Sequence, residues 1–167
     1  MNNKIRIAGI VNDSIVDGPG IRLTIFTQGC KHKCQNCHNP ETHSIDGGEE
    51  MSELSIINMI NENPLLDGIT LSGGEPFLQA IQLKTLLRNY MLFSFRPVGV
   101  WLYTGFTWDQ ILENKDYKNL LQYIDVVIDG KFIESLKTNE PWKGSSNQRI
   151  INVRESIRSG NIILWNQ

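Results

Sequence analysis

The sequence predicts an α/β fold: an open sheet or open partial (β/α) barrel with mostly parallel strands. Two observations carry this. Short apolar runs ending in glycine, at 68–74, 98–105 and 124–130, alternate with segments of helical periodicity, and such alternation implies right-handed crossovers between parallel strands. The chemistry-bearing stretches fall where these runs end, which is the carboxyl edge at which α/β sheets carry their functional loops.

Residues 17–20, DGPG, have turn chemistry, with Pro19 fixing φ and glycines allowing close backbone approach. Ile21, Leu23 and Ile25 alternate with Arg22 and Thr24, so 21–27 is expected as a strand leading straight into a cysteine-bearing loop. From Ser52, Leu54, Ile57 and Ile60 fall at helical spacing, and Pro64 lies just beyond. GITLSGG (68–74) reads as a buried strand with a tight loop, and 77–93 as an amphipathic helix. VGVWLYTG (98–105) repeats the strand-to-glycine pattern, and Thr107 is placed to cap a helix through TWDQILEN. A further helix across 116–123 is expected before the strand in IDVVIDG (124–130). In the tail, QRIINV and NIILW are both expected as strands, joined by a turn at 158–160. Trp108 and Trp165 are expected to pack rather than to serve as stacking platforms.

With 167 residues, 40% hydrophobic and 20% charged, the chain suits a single domain over 1–167 with its own core. A formal net charge of −2 argues against a polyanion binder, so no nucleic-acid partner is expected. No run approaches the roughly 18 apolar residues of a membrane span, and Asp13 and Asp17 interrupt the N-terminal segment before a signal-peptide core forms. A cytoplasmic protein without a membrane partner is expected, and its thiols should stay reduced.

TQGCKHKCQNCHNPETH (27–43) holds every cysteine and every histidine of the chain. The spacing Cys30-x3-Cys34-x2-Cys37 gathers three thiolates on one short loop, suited to zinc, copper(I) or an iron–sulfur cluster. A disulfide would leave one thiol over, and a closed zinc site needs a fourth ligand. One reading is a structural zinc knuckle completed by His32, His38 or His43; the other is a site whose open position is functional. The knuckle is weakened because this chain is long enough to bury a core and has no second pair of ligands.

Cys30-x3-Cys34-x2-Cys37 after an apolar strand, with Ser72-Gly73-Gly74-Glu75-Pro76 after the next one, resembles the radical S-adenosylmethionine superfamily. The resemblance implies an open partial barrel of that type. It implies a [4Fe-4S] cluster with three irons held by Cys30, Cys34 and Cys37, and S-adenosylmethionine on the fourth iron. Gly73 and Gly74 are implied at the methionine end of that cofactor, where a missing Cβ lets the backbone approach. Glu75 belongs either beside them or to the loop as a helix N-terminal acid. The superfamily often places an aromatic residue before the third cysteine; here it is Asn36, and His38 on the far side of Cys37 is the candidate to stack on adenine. Cofactor contacts are thus expected at Asn36, Cys37, His38, Gly73, Gly74 and Glu75, with no catalytic residue beyond the cluster ligands.

DGPGIR (17–22) resembles the turn before the cysteine loop in glycyl-radical-enzyme activases. WKGSSNQR (142–149) resembles the C-terminal motif of the anaerobic ribonucleoside-triphosphate reductase activating proteins, and YTGF (103–106) and IDGKF (128–132) match that group too. The implied activity is an oxidoreductase one: reductive cleavage of S-adenosylmethionine to methionine and a 5′-deoxyadenosyl radical, which forms a glycyl radical in the reductase large subunit. A flavodoxin- or ferredoxin-type protein is implied as electron donor. Asp129 is read either as orienting the cofactor or a cation, or as a cap. Residues 142–148 are read as cofactor pocket, partner surface or structural turn. The alternatives are a pyruvate formate-lyase-type activase, whose longer relatives often carry extra cysteines, a small-molecule enzyme such as a deazaguanine synthase and, from a different class, a zinc-stabilised interaction module.

Overall fold

The computed structural model describes residues 3–166. Its seven strands are β1 (Lys4–Ser14), β2 (Arg22–Thr27), β3 (Glu49–Ser52), β4 (Gly68–Gly73), β5 (Gly99–Tyr103), β6 (Val126–Asp129) and β7 (Arg149–Asn152). They form one sheet in the order β3-β1-β2-β4-β5-β6-β7. The centre, β2-β4-β5-β6, is parallel throughout, as the strand–helix alternation requires. The flanking pairs β1–β2, β1–β3 and β6–β7 are antiparallel.

The helices are α1 (Glu53–Glu62), α2 (Ala80–Phe93), α3 (Trp108–Glu113), α4 (Lys115–Leu120) and α5 (Val153–Ser159). In register across the sheet, Leu23 meets Ile69 and Ile69 meets Val100, while Ile25 meets Leu71, Leu71 meets Leu102 and Leu102 meets Val127. These side chains form one face and share a core with Ile56, Ile57 and Ile60 of α1, Leu83, Leu86 and Leu87 of α2, and Ile111 of α3. Because side chains alternate along a strand, the opposite face carries Trp101, Val126 and Ile128, packed with Tyr103, Trp142 and Trp165.

Several elements depart from the sequence expectation. Neither β1 nor β3 was anticipated: only Ile5 and Ile7 of β1 are fully buried, and its pairing with β2 is irregular on both sides of Gly9–Val11. In α1 the buried stripe is Ile56, Ile57 and Ile60, and Leu54 is 64% exposed, so Leu54 lies off the core face. The 77–93 segment opens with a 3₁₀ turn over Pro76–Gln79 before α2, and the helix expected over 116–123 is α4 followed by a 3₁₀ turn at Leu121–Tyr123. Thr107 does cap α3, in a full capping box with Gln110. The tail is corrected too. Asn152 caps α5 directly after β7, and Gly160 ends that helix in the left-handed region. NIILW then returns beside β7 through a single bridge, Ile151 to Leu164, and is not a strand.

Arg22 is one of the polar members of the alternating strand, yet it is 2% exposed. Its Nε donates to Thr70 Oγ1 at 2.7 Å, and its terminal nitrogens donate to the carbonyls of Pro19, Ile69 and Gly99. It thereby ties the DGPG turn to the amino ends of β4 and β5. Burial draws its pKa down to about 10, against the opposing pull of Tyr103, Asp125, Asp67 and Asp17. Replacing Arg22 by methionine leaves four acceptors without their donor and should lower stability by about 2–4 kcal/mol in urea unfolding. Arg22→Lys should recover only part of this, since an ammonium cannot span the same acceptors. Unchanged midpoints in both variants would show that the buried cation is dispensable.

Candidate active site

Four loops leave the carboxyl ends of β2, β4, β5 and β6 and meet around one cleft of about 570 Å³, within the usual range for cofactor sites. From the β2 loop come Cys30, Cys34 and Cys37; from the β4 loop, Gly73 and Gly74; from the β5 loop, Thr104 and Gly105; from the β6 loop, Gly130 and Phe132. The end of β1 adds Val11 and Ser14, and the WKGSSNQR stretch adds Trp142, Lys143, Gly144 and Gln148. Among the described residues no helix is long and apolar enough to cross a membrane.

The cysteine loop is folded on its own backbone. Gly29 N donates to Thr42 O at 2.8 Å and Cys30 N to His43 O at 3.1 Å, closing the loop at its neck. Gln28 Nε2 reinforces the closure by donating to Ser44 O and Glu41 O. Lys33 and Asn36 take positive φ, which turns the chain tightly between successive cysteines. All three cysteines are free and half-buried. Burial pushes the Cys30 and Cys34 thiols upward, which favours the protonated over the thiolate form. Metal loading must displace those protons.

These residues fit an iron–sulfur cluster. Three soft ligands face one cleft, and His43, which also lines it, has a buried Nε2 with no hydrogen-bond partner. Among the described residues no three His, Cys, Asp or Glu side chains are grouped closely enough to hold one metal ion. Of the histidines considered for a knuckle, His32 sits 2.6 Å from Glu75 and His38 packs against the Phe132 ring at 4.6 Å.

The other expected residues divide. Gly73 and Gly74 lie in the cleft wall, where their backbones press against the end of β2 and the start of the cysteine loop: a Cβ on Gly73 would stand 2.6 Å from Thr27 N, and one on Gly74 2.4 Å from Gly29 O. Glycine is therefore required here by the protein's own packing, whatever the cleft contains. His38 faces the cleft, whereas Asn36 is exposed and donates to Glu134. Glu75 is 1% exposed and does not line the cleft. It caps the turn at 76–79 through Phe77 N.

Asp129 takes the capping role. It accepts from Trp108 N at 2.8 Å, at the start of α3, and pairs with Arg149 of β7. The 142–148 stretch reaches the cleft and is held by Gln148, which accepts from Gly144 N and Ser145 N and donates to Gly130 O. Trp165 packs edge-on against Trp101 and Trp142, and Trp108 is buried in the main core. Sequence reasoning missed Val11 and Ser14 because it missed β1. It saw His32 only as a possible ligand, since nothing in the sequence pairs it with Glu75.

Residues 16–151 match the 4Fe-4S single cluster domain family. The anaerobic ribonucleoside-triphosphate reductase-activating protein of Enterobacteria phage T4 is 33% identical over 138 residues, covering 81% of this chain and 86% of its own. The protein of the same name from Escherichia coli (strain K12) is 35% identical over 147 residues, covering 84% and 94%. Among solved structures, QueE from Escherichia coli aligns more loosely, with a TM-score of 0.44 and 15% identity over 62% of this chain and 53% of that one. Identity at this level, sustained across most of both sequences, means that the chain belongs to the anaerobic ribonucleoside-triphosphate reductase-activating protein family, built on a 4Fe-4S single cluster domain.

Proposed function

We propose that this protein activates an anaerobic ribonucleoside-triphosphate reductase by generating a glycyl radical in its large subunit. The observation that carries the reading is the set of three free cysteines opening into the same cleft as the Gly73–Gly74 backbone. Cys30, Cys34 and Cys37 would hold three irons of a [4Fe-4S] cluster. When bound, the cluster and S-adenosylmethionine supply a one-electron reductive cleavage yielding methionine and a 5′-deoxyadenosyl radical.

The chain's own work is placement and exclusion. Gly73 and Gly74 offer backbone without side-chain bulk to the cofactor's methionine end, and the His38 ring, braced on Phe132, offers a face to its base. Val11, Val16, Phe26, Tyr103 and Trp142 line the remaining wall with apolar surface, which would help exclude water once the reductase covers the open side. The cleft is open to solvent on one side, so a mobile segment of the reductase can bring its glycine Cα within reach. Asn36 and Glu75 take structural places in this reading, because their hydrogen bonds lead away from the cleft or into the core. The proposal further holds that the whole chain is one radical S-adenosylmethionine domain with the sheet of an open partial barrel. It would work in the cytoplasm with a flavodoxin- or ferredoxin-type donor.

Two experiments bear on this. Replacing any one of Cys30, Cys34 or Cys37 with alanine should abolish full iron loading and all reductive cleavage of S-adenosylmethionine; a variant with wild-type cleavage would remove that cysteine from the ligand set. Incubated anaerobically with reductant, S-adenosylmethionine and its cognate reductase, the protein should give a glycyl-radical resonance and start nucleotide reduction. Pyruvate formate-lyase in the same assay should give little or none, because surfaces outside the cleft select the partner. Activation of the lyase and not the reductase would keep the activase class and overturn the choice of partner.

A further inference from the structure

Glu75 is 1% exposed, and its oxygens are met by donors from three different loops. Phe77 N donates at 3.0 Å from its own loop, and Gly105 N at 2.9 Å and Thr104 Oγ1 at 2.9 Å from the loop after β5. The remaining partner is His32 Nε2, 2.6 Å away, from the cysteine loop. Against a carboxylate the ring nitrogen is the donor. His32 stands two residues from Cys30 and two from Cys34.

The ring is held on its other sides as well. It packs edge-on against Phe106 at 4.6 Å, and Gly105 makes room for it: a Cβ there would stand 2.4 Å from His32 Cδ2. The bonds at the neck, from Gly29 N and Cys30 N, close the cysteine loop on itself and do not fix the 31–37 segment to the loops around it. Asn36 also reaches outward, to Glu134, but on exposed surface where a hydrogen bond contributes little. Losing His32 would leave Glu75 with its other donors, so the β4 and β5 loops would stay joined, while the cysteine segment would lose its tie to them and keep only its contacts on the β6 side, Cys34 with the Phe132 backbone and Asn36 with Glu134.

We propose that His32 and Glu75 form a clamp that holds the cysteine loop in its cluster-receiving shape before iron arrives. Both are then positioning residues, and Glu75 acts on the cluster ligands and not on the cofactor. The inference rests on the proposed cluster reading and deepens it: the order of the loop is a property of the metal-free chain, so a four-iron group meets preformed ligands.

The test uses the full chain with H32F, which keeps a ring against Phe106 and loses the donor, and H32Q, whose amide can still reach Glu75. In metal-free protein, tryptic cleavage after Lys31 and Lys33 should be roughly tenfold faster in H32F, the scale of losing one hydrogen bond to a charged group. After anaerobic reconstitution, loss of iron to a chelator should accelerate by a similar factor, while affinity for S-adenosylmethionine in loaded protein stays within about threefold. H32Q should behave as wild type in all three. The clamp is overturned if H32F matches wild type in both rates, if it keeps iron but loses S-adenosylmethionine, or if H32Q fails as badly as H32F. Should H32F not fold, H32Q decides alone: rates at the wild-type level support the clamp, and roughly tenfold faster cleavage or iron loss overturns it. If wild-type protein took up no cluster at all, the functional reading would fall, and the tryptic arm would still judge the clamp.

Discussion

Two backbones lie closer together at the ends of β2 and β4 than any side chain would permit, and the site depends on that approach. The parallel pairing runs on past Thr27 and Gly73: Gly74 N donates to Thr27 O and Glu75 N to Gly29 O, both at 2.8 Å. Gly73 sits at φ 93°, which few residues other than glycine adopt, and a Cβ on Gly74 would strike the Gly29 carbonyl. The result is that the cysteine loop and the SGGEP loop leave the sheet as one body. Where they leave the sheet their placement is set by short main-chain hydrogen bonds, and further out the 31–37 segment is met by the His32–Glu75 side-chain contact. A site that must present three thiols and a bare backbone edge to the same ligand needs that stiffness.

The two ends of the sheet divide the work. At the amino ends, Arg22 is buried over the Trp101 ring and spends its donors on carbonyls of three segments, which fixes the DGPG turn against β4 and β5. At the carboxyl ends, Glu75 does the complementary thing with an acceptor, collecting donors from the loops after β2, β4 and β5. Each is a buried charge-bearing side chain surrounded by hydrogen-bonding partners, the condition under which such groups are tolerated inside a protein. Asp129 repeats the device on the far side, joining the start of α3 to β7 through Arg149.

The central strands were legible because they are buried on both faces and therefore read as apolar runs ending in glycine. The three cysteines, the two glycines and the WKGSSNQR stretch were legible from spacing and resemblance, and they do share one cleft. What was hidden depends on partners distant in sequence. In β1 the alternation fails after Ile7, where the pairing bulges, and β3 is a short edge strand of Glu49, Glu50, Met51 and Ser52 with no apolar pattern of its own. NIILW has the composition of a strand, but the left-handed turn at Gly160 brings it back with room for one bridge only. The phase of α1 is set by what the sheet offers, so Ile56 is inside and Leu54 outside. Asn36 and Glu75 carry no local sign of the partners that draw them from the cleft. His32 and Glu75 stand 43 residues apart, and only the adjacency of β2, β4 and β5 brings them together.

The central claim is that three cysteines hold a four-iron cluster with one position left for a ligand. Electron paramagnetic resonance of the anaerobically reconstituted, reduced protein, taken with and without S-adenosylmethionine alongside iron and sulfide analysis, tests this most directly. About four irons and four sulfides per chain are expected, with a reduced-cluster signal that changes when S-adenosylmethionine is added. A colourless, zinc-loaded chain, or a cluster whose signal is indifferent to S-adenosylmethionine shown independently to bind, would contradict it.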